Sequence, residues 1–307
     1  MRFTACLGYA ALLFLGACAR PAPELRFGLS PWPGNAPFIQ AGDDGRLGAG
    51  VRVVELASET ATLQAFRNRT LEAAILTLDE VLLLAAEGLP LRVAALTDFS
   101  AGAGRIMARP AIGSLKALRG RRVAVESAAV GSFMLAHALR EAGLASADVE
   151  LVALLPHEQA REYAAGRIDA AVGHEPYSSR LEQLGARGIY DTGRADGDIL
   201  RVLVLHEGAV PPGRLTALAG ALFAAQAGFA PLDAGAAARA AKRYGLSAAE
   251  FARAWAGLRP LGERENRDYF ADDAARLRTL LAHIRDEMLA AGLIDRPPLN
   301  LAFGLPR

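Results

Sequence analysis

From Leu25 onward the chain alternates between two hydrophobic rhythms. Leu25-Arg-Phe-Gly-Leu-Ser30, Val51-Arg-Val-Val-Glu-Leu56, Ala73-Ala-Ile-Leu-Thr77 and Leu91 to Thr97 are short apolar runs of strand length. Between them, Glu59 to Thr70 places Leu63, Ala65 and Phe66 on one side of a helix, and a further helix begins at Asp79. Pro31-Trp32-Pro33-Gly34-Asn35 reads as a turn. Strands that alternate with amphipathic helices predict a mostly parallel sheet covered by helices, an α/β class.

The same rhythm restarts near Arg109-Pro110. The predicted strands are Arg122 to Glu126, Val149 to Leu155, Asp169 to Gly173 and Ile199 to Leu205, with helices over 132–142, 158–165 and 177–184. After Leu205 the pattern is helical almost throughout, over 215–227, 236–244, 248–258 and 271–291. A helical tail without strands of its own must cover a sheet made earlier. The expected organisation is therefore one lobe from 25–108 plus 206–307 and an inserted lobe from 109–205. Met107 to Arg109 and Leu203 to Leu205 are the expected hinge. Ligands in such folds sit beyond the carboxyl ends of the parallel strands, in the cleft between lobes.

The first residues change the picture of where the protein works. Arg2 precedes the apolar run Ala10 to Leu15, which is too short to span a bilayer and reads as an export signal over 1–17. Its end, Leu15-Gly16-Ala17-Cys18, has the form of a lipoprotein cleavage site, with Cys18 as the lipid attachment point; an ordinary secretory signal is the alternative. Residues 18–24 read as a tether. The two cysteines are Cys6 and Cys18, so thiolate metal sites and cysteine nucleophiles in the folded part are excluded. A net charge of +1 with 22% charged residues gives no basic field for nucleic acid. His157, His174 and His206 each precede a glutamate without the spacing of a zinc site, and no phosphate loop or nucleophile elbow is present. No metal and no cofactor is expected.

The order of several segments resembles the NMT1-like family of solute-binding proteins for nitrate, sulfonates and thiamine precursors. The segments are Ser30-Pro-Trp-Pro33, Ala65 to Ala74, Ser114 to Val125, Ala165 to Ala171 with Glu175-Pro176, and Ala291 to Ile294 with Pro297-Pro298. The resemblance implies a type II periplasmic-binding-protein fold with two lobes, a hinge and a ligand cleft. It further implies capture of a small molecule for an ABC-transporter permease in the inner membrane, and the cleavage site at Cys18 adds the expectation of a periplasmic location tethered to the membrane by lipid.

Candidate ligand-binding residues follow from the predicted strand ends. Trp32 can stack on a ligand or serve as a lid over the core. Thr77 and Asp79 face the cleft or cap a helix, and for Ser58-Glu59-Thr60 capping is favoured. Asp98 and Ser100 lie beside the cleft floor or in a plain turn. The small-residue loop Ser127 to Gly131, with Ser132, leads into a helix N-terminus whose N–H groups suit a polar or anionic group. Glu126 and Glu175 end strands of the second lobe. Buried carboxylates need partners, so these acids with Asp79 favour an amine-bearing or heterocyclic ligand, unless an arginine across the cleft takes them up. The alternatives are a sulfonate- or nitrate-type anion binder, a ligand sensor partnering a membrane signalling protein, and an enzyme. An enzyme is not expected, because no catalytic motif is present.

Overall fold

The structure is a computed structural model that describes residues 23–126, 130–194, 199–229, 234–298 and 300–305, without the side chains of 272 and 273. The expected signal segment, Cys18 and Ser127 lie outside the described residues.

The strands are β1 (Leu25–Leu29), β2 (Val51–Glu55), β3 (Ala73–Thr77), β4 (Leu91–Ser100), β5 (Arg105–Ala108) and β6 (Arg122–Val125). They continue as β7 (Glu150–Ala153), β8 (Ala170–Gly173), β9 (Arg187–Asp191), β10 (Leu200–His206), β11 (Leu258–Pro260) and β12 (Leu301–Phe303). The helices are α1 (Ala36–Asp43), α2 (Glu59–Arg67), α3 (Leu78–Ala86), α4 (Val130–Glu141) and α5 (Pro156–Ala164). After these come α6 (Tyr177–Gln183), α7 (Pro212–Phe229), α8 (Ala234–Tyr244), α9 (Ala248–Ala256) and α10 (Glu263–Ala290).

Two sheets form. The first runs β11-β4-β10-β3-β1-β2 with β12 beside β4, and the second runs β7-β6-β8-β5-β9. Period-two alternation divides each buried strand between two faces. Ala74, Leu76, Val202 and Val204 pack toward α2, α3 and α10. Their neighbours Ala73, Ile75, Leu203 and Leu205 pack toward α1, α7, α8 and α9. The second sheet repeats the device, with Val123, Val125 and Val172 facing α4 and Ala124 and Ala171 facing α5 and α6. Helices on both faces are why these strands read as continuous apolar runs.

The sheet pairing corrects the expected boundaries. Met107 lies inside β5, within the second sheet, and Leu203 to Leu205 lie inside β10, which pairs with β3 and β4 of the first sheet. The chain therefore changes sheets after β4 ends at Ser100 and again before β10 begins at Leu200, not at 107–109 and 203–205. Direction explains the pairing. β4 leaves the first sheet at the cleft edge, so β5 enters the second sheet from that edge and runs antiparallel to β8. On the way back, β10 enters the first sheet from the cleft edge and runs antiparallel to β3 and β4. The two crossings are tied together where they meet. Ser100 Oγ and Thr192 Oγ1 are 2.6 Å apart, and the Gly102 and Gly104 N–H groups donate to Thr192 Oγ1.

The helical tail does return to cover the first sheet, but α10 starts at Glu263, well before the expected 271. Among the described residues no single helix is long and apolar enough to cross a membrane.

Candidate functional site

The carboxyl ends of β1, β2, β3 and β4 and the start of antiparallel β10 all meet at one edge of the first sheet. Register puts Arg201 of β10 opposite Thr77 on one side and Asp98 on the other. Its side chain is 1% exposed. A guanidinium so deeply removed from water requires a matched partner, and Glu59, at the first position of α2, supplies it. Nη1 and Nη2 of Arg201 donate to the two Glu59 carboxylate oxygens at 2.9 and 3.0 Å, and Nη2 also donates to Ser30 Oγ at 3.0 Å.

Trp32 lies against this pair. The Arg201 guanidinium carbon is 4.9 Å from its ring centroid, a cation–π arrangement. The indole N–H donates to Asp98 Oδ1 at 3.0 Å, and Thr97 Oγ1 donates to Asp98 Oδ2 at 3.1 Å. Gly34 is required here, since a Cβ at that position would come within 2.6 Å of Trp32 Nε1 and 3.0 Å of Asp98 Oδ2.

The second lobe contributes the strand-end residues Glu126, His174 and Thr192. Glu126 is 6% exposed, and its Oε1 accepts from the Thr60 N–H at 2.7 Å. A second-lobe carboxylate thus sits on the N-terminus of a first-lobe helix, where orphan N–H groups and the helix dipole favour negative charge. Ser58 caps the next donor, accepting from the Ala61 N–H at 3.1 Å. His174 meets Trp32 edge-on at 5.1 Å between centroids, and its Nε2 lies 3.8 Å from Glu59 Oε1. Its Nδ1 is 2.7 Å from the Glu175 carbonyl, which can only accept, so Nδ1 carries the hydrogen.

These groups enclose a cavity of about 40 Å³, lined from the first lobe by Trp32, Glu59 and Arg201 and from the second by Glu126, Met134 and His174. It has room for roughly three waters. A larger cavity, of about 400 Å³, opens between α4 and the end of α10. That one lies away from the strand ends, and its Arg140 and His137 side chains both contact Glu287. Among the described residues no group of three His, Cys, Asp or Glu is placed to hold a metal ion.

The candidate residues separate into three groups. Trp32, Ser100, Glu126 and Gly131 line the central cavity. Thr77, Asp79 and Asp98 are buried behind it. Thr77 is the residue at the start of α3, and its N–H donates to Glu80 Oε2 at 2.9 Å, a helix-end role. Glu175 Oε2 accepts from the Ser179 N–H at 3.0 Å, which caps α6. Ser132 is half-buried in the first turn of α4. Three cavity residues are not among the candidates the sequence offers: Glu59, whose position favours a cap; Arg201, which lies within an apolar strand; and His174, which lacks the spacing of a zinc site. The signal for Arg201 is present in the sequence, because a charge within a fully buried strand demands a counter-ion.

The cluster's acids respond to burial differently. Burial alone would raise Glu59, but Arg201 holds its carboxyl below the ordinary value. Burial raises Asp98, against the pull of Arg201. Burial, together with repulsion from Glu59 and Asp79, raises Glu80 well above its usual range. Asp79 is pushed by burial up to about 6. Between the ordinary 3.8 and about 6, the folded protein keeps a proton on Asp79 that the unfolded chain has released. Stability from this group therefore falls as pH rises through that window and stays reduced above it. Asp79→Asn should be more stable than the parent by about 2–3 kcal/mol at pH 7.5. The advantage should shrink toward pH 4, as measured by urea denaturation across that range.

Comparisons with known proteins bear on the fold and its kin. A family model described as the NMT1-like family matches residues 19–245. No curated protein matches the chain by sequence. Among solved structures, the chain is similar to the alkanesulfonate-binding protein SsuA from Xanthomonas axonopodis pv. citri bound to MOPS. That match has 19% identity and a TM-score of 0.79, and covers 93% of this chain and 100% of that one. It is also similar to the periplasmic aliphatic sulphonate-binding protein SsuA from Escherichia coli, with 20% identity and a TM-score of 0.72, covering 90% and 96%. The desulfurization enzyme DszB matches at 20% identity and a TM-score of 0.63, covering 91% and 95%. The chain has the expected type II periplasmic-binding-protein fold.

Proposed function

The chain belongs to the NMT1-like family, and from that premise we propose that it is a solute-binding protein. It captures a small organic solute by closure of two lobes and delivers it to the permease of an ABC importer. The ligand we propose carries a sulfonate-type oxyanion, the alternative to the amine or heterocycle favoured by the acidic residues alone. The observation that carries this choice is the Glu126 carboxylate on the Thr60 N–H, 2.7 Å away. It marks a place in the cleft that accepts an oxyanion, and that place is built from both lobes. Sulfonate-binding proteins with this fold support the same ligand class. The export signal and Cys18 support a periplasmic location with lipid attachment, since a tether keeps a solute carrier beside its permease.

The test is a thermal-unfolding screen of alkanesulfonates, MOPS, amines, pyrimidines and short carboxylates. A ligand at a hundred times its Kd should raise the midpoint by roughly 5–10 °C through mass action. Shifts from sulfonates and none from simple amines support the proposal; shifts from amines alone would replace it. The likeness to DszB raises an enzymatic reading on the same fold. Incubating the protein with an aromatic sulfinate and finding it unchanged is the expected result, and release of sulfite would favour the enzyme.

A further inference from the structure

Helix α4 belongs to the second lobe, yet only part of it faces the second sheet. Met134, Leu135, Ala138 and Leu139 pack into that lobe's own core. Val130, Phe133, His137 and Arg140 recur at helical spacing and form a separate stripe. This stripe meets the first lobe. Phe133, 2% exposed, joins the apolar cluster built by α2, α3 and α10, and Val130 packs against the same cluster. One turn further along, His137 Nδ1 lies 3.3 Å from Glu287 Oε2, and after a second turn Arg140 pairs with Glu287 Oε1. The Glu287 side chain is 10% exposed, and His283 Nε2 lies 3.4 Å from its Oε1. A carboxylate so enclosed depends on the cation beside it. The other flank of the lobe boundary is looser. There Gln183 of α6 and Glu250 of α9 meet at 3.5 Å in an exposed contact.

The first turns of the same helix line the central cavity through Val130, Gly131 and Met134. Arg140 lies about 14 Å beyond Gly131 along the helix axis. We propose that Phe133 and the Arg140–Glu287 pair form a closure latch outside the cavity. The latch holds α4 against the first lobe, keeps the protein closed before a solute arrives, and sets how long a bound solute stays. Parting of the lobes carries Phe133 out of the first-lobe cluster and Arg140 away from Glu287, because the other stripe of α4 fixes it to the second sheet. Both interactions are made without touching the solute. They therefore slow the release of every solute by the same factor and leave the choice among solutes to the cavity. This inference rests on capture by lobe closure and does not depend on the sulfonate class.

Arg140→Glu tests this, since the half-exposed Arg140 side chain can be changed without hollowing a core, and the new charge faces Glu287. Small-angle X-ray scattering of the full protein without solute should fit the closed structure for the parent and a more extended shape for the variant. Dissociation of MOPS, followed by stopped-flow tryptophan emission, should be about fivefold or more faster in the variant. Ethanesulfonate should leave faster by the same factor. Coincident solute-free scattering curves for parent and variant overturn the latch, and this measurement needs no ligand. A lower unfolding midpoint with unchanged scattering and dissociation means that the contact serves stability alone, and overturns it as well. Acceleration for one sulfonate and not the other places the effect at the ligand and also counts as refutation. If the parent binds neither sulfonate, the sulfonate reading fails and scattering still decides the latch.

Discussion

Arg201→Met is expected to destabilise the protein by about 3–5 kcal/mol, lowering the unfolding midpoint on the order of 10 °C. The cost arises because Glu59 is 2% exposed and its carboxylate oxygens are held by the two Arg201 Nη atoms. Without that cation the carboxylate is left buried and uncompensated, or must take up a proton. The double variant Arg201→Met/Glu59→Leu should recover most of the loss, since replacing both partners of a buried pair by apolar groups of similar volume is often close to neutral. Recovery should be greater at pH 6 than at pH 8. Arg201 also opposes the upward push of burial on Asp79 and Asp98. Removing it leaves these acids protonated in the folded state to higher pH, and stability then falls as pH rises. Urea denaturation of the single and double variants at the two pH values measures the cycle. Equal, small losses for Arg201→Met, Glu59→Leu and the double variant would mean the pair is not what holds this edge of the sheet.

Much of the fold was legible because burial on both faces of a sheet writes itself as short apolar runs. β1, β3, β6, β8 and β10 were all visible in this way. The edges were not. β9, β11 and β12 are three to five residues long, and β12 is only half-buried. They are held by pairing with a longer neighbour, which leaves little trace in their own composition. α10 began earlier than read because its first turns, Glu263 to Arg267, are almost wholly charged and polar. The partner of a strand is likewise not written in the strand. Leu200 to His206 reads the same whether it completes the second sheet or returns to the first. Only the direction of the crossing decides.

The site was legible at the level of strand ends and not at the level of pairs. Trp32 and Glu126 could be placed near a cleft because each follows an apolar run. What they touch depends on residues far away in sequence. Arg201 and Glu59 are separated by 142 positions, and nothing local distinguishes Glu59 from a first-turn acid chosen for the helix dipole. The expectation that an arginine across the cleft would absorb an acid was framed without a residue. The structure supplies one, and it absorbs Glu59, an acid the sequence reading had passed over. Glu126 is then left as the cavity acid that reaches across to a first-lobe backbone N–H, that of Thr60.

Trp32→Ala should cost about 3–5 kcal/mol of stability and weaken ligand binding by more than tenfold. The indole joins the buried charge cluster to the other lobe. Its N–H holds one oxygen of Asp98, its face carries the Arg201 guanidinium, and its edge meets His174. Its backbone carbonyl also accepts from Tyr244 Oη at 2.8 Å, fixing the turn from the α8 side. Truncation removes the bulk, leaves Asp98 Oδ1 without its donor, and deletes the edge-on contact with His174. Trp32→Phe isolates part of this. It keeps most of the apolar contact and loses the hydrogen bond to a buried carboxylate, with an expected cost of about 1–3 kcal/mol. A role confined to covering the core predicts that both variants lose stability yet keep the full ligand-induced rise in unfolding midpoint. A role in closure predicts that the rise itself shrinks, in Ala more than in Phe, because the closed state that the ligand selects is the one in which Trp32 meets His174. Thermal unfolding of the three proteins with and without a saturating sulfonate separates the two, and the smaller rise is the expected result.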